Sequence, residues 1–212
     1  MQIAVLLYEG FTALDTVGPY EILSRIPGAE VVFTAVQAGP VRTDMGSLAL
    51  TADLPLAEVT APDLLVVPGG PGTEQALGDA AVLDWLRAAD ASTTWTTSVC
   101  SGSLLLAGAG LLRGRRAASH WITLEHLPLF GAEPSTDRVV FDGKYATSAG
   151  VSAGIDLALQ LAGRLAGDAV AEAIQLVVEY APDPPYACGS PLTAPPTLLA
   201  SLRASNLIVQ PT

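Results

Sequence analysis

The chain has 212 residues, with 21 Asp plus Glu against 10 Lys plus Arg and a formal charge of −11. That length fits one domain with a substantial core, and the charge argues against nucleic acid as a partner, because phosphate binding needs clustered positive charge. Half of the residues are hydrophobic, yet no uninterrupted apolar run reaches the roughly 18 residues of a membrane span, so no transmembrane helix is expected.

The opening MQIAVLLYEG has no basic segment ahead of its apolar run and no small-residue cleavage site. It reads as a first strand over residues 2–8 rather than a signal peptide. A helix follows over 15–26, with Val17, Tyr20, Ile22, Leu23 and Ile26 as its apolar positions. Residues 30–36, EVVFTAV, are a second strand, and 39–50, with Gly39-Pro40 and Met45-Gly46, a small edge hairpin. Residues 63–67, DLLVV, are a third strand ending in the turn PGGPG. A helix with an acidic start spans 79–90, and TWTTSV, 94–99, is a strand that runs into Cys100 and a helix over 103–112. The only basic cluster, Arg113, Arg115 and Arg116, reads as the solvated end of that helix.

Residues 138–148 read as a β-hairpin around Asp142-Gly143. Helices follow over 152–166 and 168–180, with Ser152 and Asp168 as N-caps. The proline-rich stretch 181–197 cannot be regular helix and is expected to wrap the surface, with a short helix over 198–209. Continuous apolar strands alternating with helices imply a single α/β domain over 1–212: a doubly wound, flavodoxin-like, mostly parallel sheet with helices on both faces. Ligands in such folds sit beyond the carboxyl ends of the strands. Cys100 and PGGPG both fall there.

TTSVCSGS puts a lone thiol between a strand and a helix, the layout of a nucleophile elbow. A helix N-terminus there would lower the thiol pKa; a buried cysteine acting as a small hydrophobe is the bland alternative. In PGGPG, the N–H of Gly70 could join that of Ser101 as a two-donor hole for developing negative charge, with Gly69 beside it; the bland alternative is a tight turn. Asp15, in LDTVGPYEIL, is either a helix N-cap or a carboxyl facing Cys100; buried near a thiolate it would be protonated and could act as general acid. Glu21 falls outside that site. His120 is either a capping or packed residue or lines the pocket; His126 is the only other histidine. Neither the histidines nor Cys100 and Cys188 have metal-ligand spacing, and no GxGxxG or P-loop occurs. Both thiols are expected to be reduced in a cytoplasm, with Cys188 a surface or interface thiol.

The stretches VVPGGPG, SVCSGS, LLAGAGLLRGRRAASHW and SAGVSAGIDLAL resemble the ThiJ/PfpI superfamily over nearly the whole chain. LDTVGPYEIL, SVCSGSLLLAGAGLLRGRRAASHW and VEYAPDPPYACGSPLTAP resemble its isonitrile hydratase branch. The resemblance implies a doubly wound, usually dimeric protein without a cofactor. It implies a nucleophile at Cys100, a catalytic aspartate at Asp15 and a turn glycine at Gly70. Ser101 replaces the branch's threonine and could still hydrogen-bond the aspartate. The implied reaction adds water to a small-molecule isonitrile and gives an N-substituted formamide. Rival readings are an amidase-, peptidase- or glyoxalase-like enzyme, the sensor half of a transcription regulator, and a redox-sensing or chaperone protein using Cys100 oxidation. Ser101 stands where the peptidases place histidine, and a DNA-binding module is not expected.

Overall fold

The computed structural model describes residues 1–205. In chain order the elements are β1 (Gln2–Leu6), α1 (Ala13–Leu23), β2 (Glu30–Ala35), β3 (Gly39–Arg42), β4 (Ala49–Ala52) and β5 (Leu54–Pro55). Then come β6 (Leu64–Val67), α2 (Thr73–Leu77), α3 (Ala80–Asp90), β7 (Trp95–Val99), α4 (Gly102–Gly108) and β8 (Arg116–Ala117). The chain ends with β9 (Glu133–Pro134), β10 (Val139–Asp142), β11 (Tyr145–Ser148), α5 (Ala153–Ala166), α6 (Asp168–Val177) and α7 (Pro196–Ala204).

Seven strands form the main sheet in the order β10-β11-β7-β6-β1-β2-β5. All neighbours are parallel except the β10–β11 hairpin. Each central strand is apolar on both sides because both faces are covered. Ala4, Leu6, Leu65 and Val67 pack with α3 and α4 residues on one face. Ile3, Val5, Leu64 and Val66 pack with Ile22, Leu157 and Leu161 of α1 and α5 on the other. This is the expected doubly wound α/β architecture. Among the described residues no helix is long and apolar enough to cross a membrane.

Several local expectations need correction. The hairpin over 39–50 is present, as β3–β4, but forms its own two-stranded sheet off the main edge. It is tied to the body by a bridge from Phe11 to Thr43, by the Gly10 N–H donating to the Arg42 carbonyl at 2.9 Å, and by Val41 and Ala52 in the core. Ser152 and Asp168 do not cap their helices: neither N-cap position has a side-chain cap bond, and Asp168 is already helical. The Ser152 hydroxyl instead meets the Arg138 guanidinium. By contrast Asp79 does cap α3, accepting from the N–H of Ala81 at 2.9 Å. The arginine cluster does not end a helix, since α4 stops at Gly108. Arg115 pairs with Asp142 and lies over the Tyr145 ring, and Arg116 pairs with Asp137. The short helix α2 follows PGGPG unforeseen, and α7 starts at Pro196; positions 206–209 of the expected last helix lie outside the described residues.

Candidate active site

Four chain segments converge beyond the carboxyl ends of β1, β6, β7 and β11. They are the start of α1, the turn Pro68–Gly72, the elbow at Cys100 and the loop Ala149–Ser152. Cys100 has φ of 59°, the left-handed region that a side-chain-bearing residue adopts only under constraint. The constraint is visible on both sides. The Cys100 N–H donates to the carbonyls of Ser148 and Ala149, and the Cys100 carbonyl accepts from the hydroxyls of Ser103 and Ser119. The elbow expected from the sequence is therefore present.

PGGPG fits against this elbow because its glycines lack side chains. A Cβ on Gly69 would lie 2.4 Å from the N of Ser101. Gly70 has φ of 146°, and a Cβ there would lie 2.5 Å from the carbonyl O of Gly10. The turn is thus pressed between the elbow and the loop after β1.

Asp15 is not an N-cap. It is the third residue of α1 and is completely buried. Its Oδ2 accepts the Gly69 N–H at 2.8 Å. Its Oδ1 is buried with no hydrogen-bond partner among the described residues. Burial pushes the carboxyl up to about 7; the Gly69 N–H and the neighbouring Cys100 thiol pull it down, and Asp44 pushes it up. Glu21, as expected, lies outside the site, paired with Arg25 at 2.7 Å.

The expected lowering of the thiol pKa is overturned. Burial pushes Cys100 well above its ordinary value, the Asp15 charge adds to this, and the backbone N–H groups of Val151 and Ser101 oppose it. Cys100 is 3% exposed, and α4 is too short a helix to offset that desolvation. Near neutrality the thiol therefore keeps its proton, while the carboxyl beside it is close to its midpoint.

Two expectations about polar contacts also change. Ser101 does not bond Asp15. Its Oγ accepts the Gly70 N–H at 2.9 Å and sits 2.9 Å from the Thr73 hydroxyl, which is 3.0 Å from the Tyr8 hydroxyl. Gly70 N–H is consequently occupied, and the donors beside the sulfur are Ser101 and Val151. Val151, with φ of 34°, gave no signal in the sequence, because neither its residue type nor its neighbours mark a strained loop. Tyr8 and Thr73 were also missed; a tyrosine closing an apolar strand and a threonine after PGGPG were the available hints.

His120 is brought to the site's rim. It lines a cavity of about 360 Å³ with Ser119, Trp121, Gly150, Val151 and Leu192. Neither Asp15 nor Cys100 lines it, but Ser119 and Ala149, which do, hydrogen-bond the Cys100 backbone. The cavity wall is mixed, with Asp137, Arg138 and Ser190 beside Trp121, Leu124 and Leu192. Burial lowers the His120 pKa to about 4, and its Nδ1 accepts the Ile122 N–H at 3.3 Å. A larger cavity, about 710 Å³, lies behind Tyr8 and includes neither Cys100, Asp15 nor His120. Cys188 is a free, exposed thiol, and among the described residues no group of three or more His, Cys, Asp or Glu could hold a metal ion.

A profile of the DJ-1/PfpI family matches residues 1–164. An isonitrile hydratase of Pseudomonas putida is 41% identical over 203 residues, covering 96% of this chain and 89% of that protein. The crystal structure of a ThiJ/PfpI family protein from Pseudomonas syringae superposes with a TM-score of 0.93 at 40% identity, covering 96% of this chain and 85% of that one. Oxidised DJ-1 of Toxoplasma gondii superposes at 0.75 with 27% identity, covering 85% and 99%.

Proposed function

Since the chain belongs to the DJ-1/PfpI family, we propose that it is an isonitrile hydratase, a lyase-type enzyme in which Cys100 is the nucleophile and Asp15 moves the protons. The observation that carries this reading is the buried pair itself: a thiol at a strained elbow beside a carboxyl whose second oxygen has no partner. The relationship to the Pseudomonas putida isonitrile hydratase supports the choice of substrate.

In the first step the ionised Asp15 accepts the thiol proton, the sulfur bonds to the isonitrile carbon, and Asp15 returns that proton to the same carbon. The product is a thioimidate, R–N=CH–S–Cys100. In the second step water attacks that carbon. Asp15 takes one water proton and the nitrogen receives it, leaving R–NH–CH(OH)–S–Cys100. The C–S bond then breaks, the hydroxyl proton returns to sulfur through Asp15, and the formamide R–NH–CHO leaves. Atoms balance as isonitrile plus water, with no electron transfer. The burial of the pair suits such a substrate, because bringing a neutral isonitrile to buried groups costs less than bringing an ion.

A redox-sensor reading fits less well, since such cysteines are accessible and have lowered pKa values. The test follows para-nitrophenyl isocyanide by absorbance with wild type, Cys100→Ala and Asp15→Asn. Turnover in wild type that is lost in both variants is the expected result. Folded wild type with no turnover of this or alkyl isonitriles would sink the reading.

A further inference from the structure

The turn that serves Asp15 is gripped from behind by three buried hydroxyls. The Tyr8 hydroxyl donates to the Pro68 carbonyl at 2.9 Å. That carbonyl and the Gly69 N–H are the two ends of one planar peptide unit, and in a trans peptide they point in opposite directions. Tyr8 therefore holds one side of the plane whose other side faces Asp15 Oδ2. The next peptide is held the same way: the Gly69 carbonyl accepts the Thr12 N–H at 2.8 Å, and the Gly70 N–H meets Ser101 Oγ.

The direction of every proton in the chain follows from its ends. Gly70 N–H can only donate and the Pro68 carbonyl can only accept. Ser101 thus donates to Thr73, Thr73 to Tyr8, and Tyr8 to Pro68; the one alternative for Ser101, the Gly70 carbonyl, is longer at 3.4 Å. All three side chains are buried. A relay of this kind polarises its members, and a carbonyl that accepts a hydrogen bond strengthens the N–H of its own peptide.

We propose that Tyr8 and Thr73 are positioning residues for the acid: with Ser101 they form a one-directional hydroxyl relay that orients and polarises the Pro68–Gly69 peptide toward Asp15. Neither residue touches the reacting atoms. The inference rests on Asp15 as the proton-moving group, but its effect is on the carboxyl itself and is readable without substrate. The groups facing Asp15 are Cys100 from the elbow, Asp44 from the loop after β3 and Tyr8 from the loop after β1; Asp44 is tied to the Thr12 hydroxyl at 2.8 Å.

Losing the relay weakens the Gly69 N–H bond, which favours the ionised carboxylate. The Asp15 titration then moves to higher pH. The experiment is a ¹³C NMR titration of the Asp15 side-chain carboxyl, assigned by its absence in Asp15→Asn, in wild type, Tyr8→Phe, Thr73→Val and Thr73→Ser, with thermal unfolding recorded for each. The expected result is an upward shift of about half a pH unit in Tyr8→Phe and Thr73→Val, with Thr73→Ser restored to the wild-type midpoint. An unchanged midpoint in whichever of the two hydroxyl-deleting variants is folded overturns the relay. So does a shift in Thr73→Ser equal to that in Thr73→Val, which would assign the effect to packing. Absence of isonitrile turnover bears on the proposed function and leaves this titration intact.

Discussion

The molecule buries two aspartates at opposite ends of the same strands, and they are treated differently. Asp90 closes α3 beneath the amino ends of β7 and β11. It accepts from Thr96 at 2.6 Å and from Tyr145 at 3.1 Å, and pairs with Lys144 at 3.1 Å. Asp15, beyond the carboxyl ends, has one N–H and an unpartnered Oδ1. A satisfied buried carboxylate has nothing left to offer a ligand and contributes to the fold. An unsatisfied one costs stability and keeps an oxygen free for a proton. Their neighbours respond alike: burial and Asp90 push Tyr145 up to about 12, and burial and Asp15 push the Cys100 thiol well above its ordinary value.

The largest effect expected from this contrast is at Asp15. Asp15→Asn should lower turnover by about 10²- to 10⁴-fold, the range for a lost general acid–base. It should also raise stability at pH 8. The folded pKa, about 7, lies above the unfolded value of 3.8, so the native state holds the extra proton between them and wild type loses stability as pH rises from about 4 to 7. The gain is at most about 4 kcal/mol and should vanish near pH 4. Chemical denaturation of both proteins at the two pH values measures it, and a destabilised Asp15→Asn at pH 8 would break the comparison. Asp90→Ala should do the reverse: a loss of about 2–3 kcal/mol as Thr96, Tyr145 and Lys144 lose their acceptor, with turnover unchanged. A pH dependence follows from the same pair. Because the reactive form holds one proton between thiol and carboxyl, kcat/KM should climb tenfold per pH unit in acid and level off near pH 7.

The two ends were not equally legible. The sheet was readable because four apolar runs and their turn residues repeat a period that only covered parallel strands satisfy. PGGPG and the elbow were readable because glycine and a thiol at a strand end are rare enough to mark a place. The Asp15 burial was only half readable, since an aspartate before a helical stretch fits a cap equally well, and depth depends on α5 packing over α1. The thiol pKa was not legible for the same reason: a helix start is visible in sequence, whereas the desolvation that outweighs it is not. Ser101 looked like a partner for Asp15, but its direction is set by Thr73 and Tyr8, 28 and 93 residues away in the chain. Asp90 and its partners carry no mark in the sequence, because polar residues at strand starts look like ordinary ends.

The smallest expected effect separates Asp15 from the residue most easily confused with it. A rate profile with a midpoint near pH 7 is the usual signature of histidine, and His120 lines the cavity beside Cys100. Burial moves the two groups in opposite directions, because it disfavours charge on both: the carboxyl rises to about 7 and the imidazole falls to about 4. At working pH His120 is a neutral ring, with Nδ1 taken by the Ile122 N–H and its edge packed on Gly150. His120→Asn should therefore scale kcat/KM by no more than about tenfold, through altered cavity shape and a lost donor, and leave the midpoint where it was. A midpoint that disappears in His120→Asn and survives in Asp15→Glu would transfer the titration to the histidine. The unpartnered oxygen of Asp15 would then be only a cost to the fold, and the contrast with Asp90 would no longer locate the chemistry.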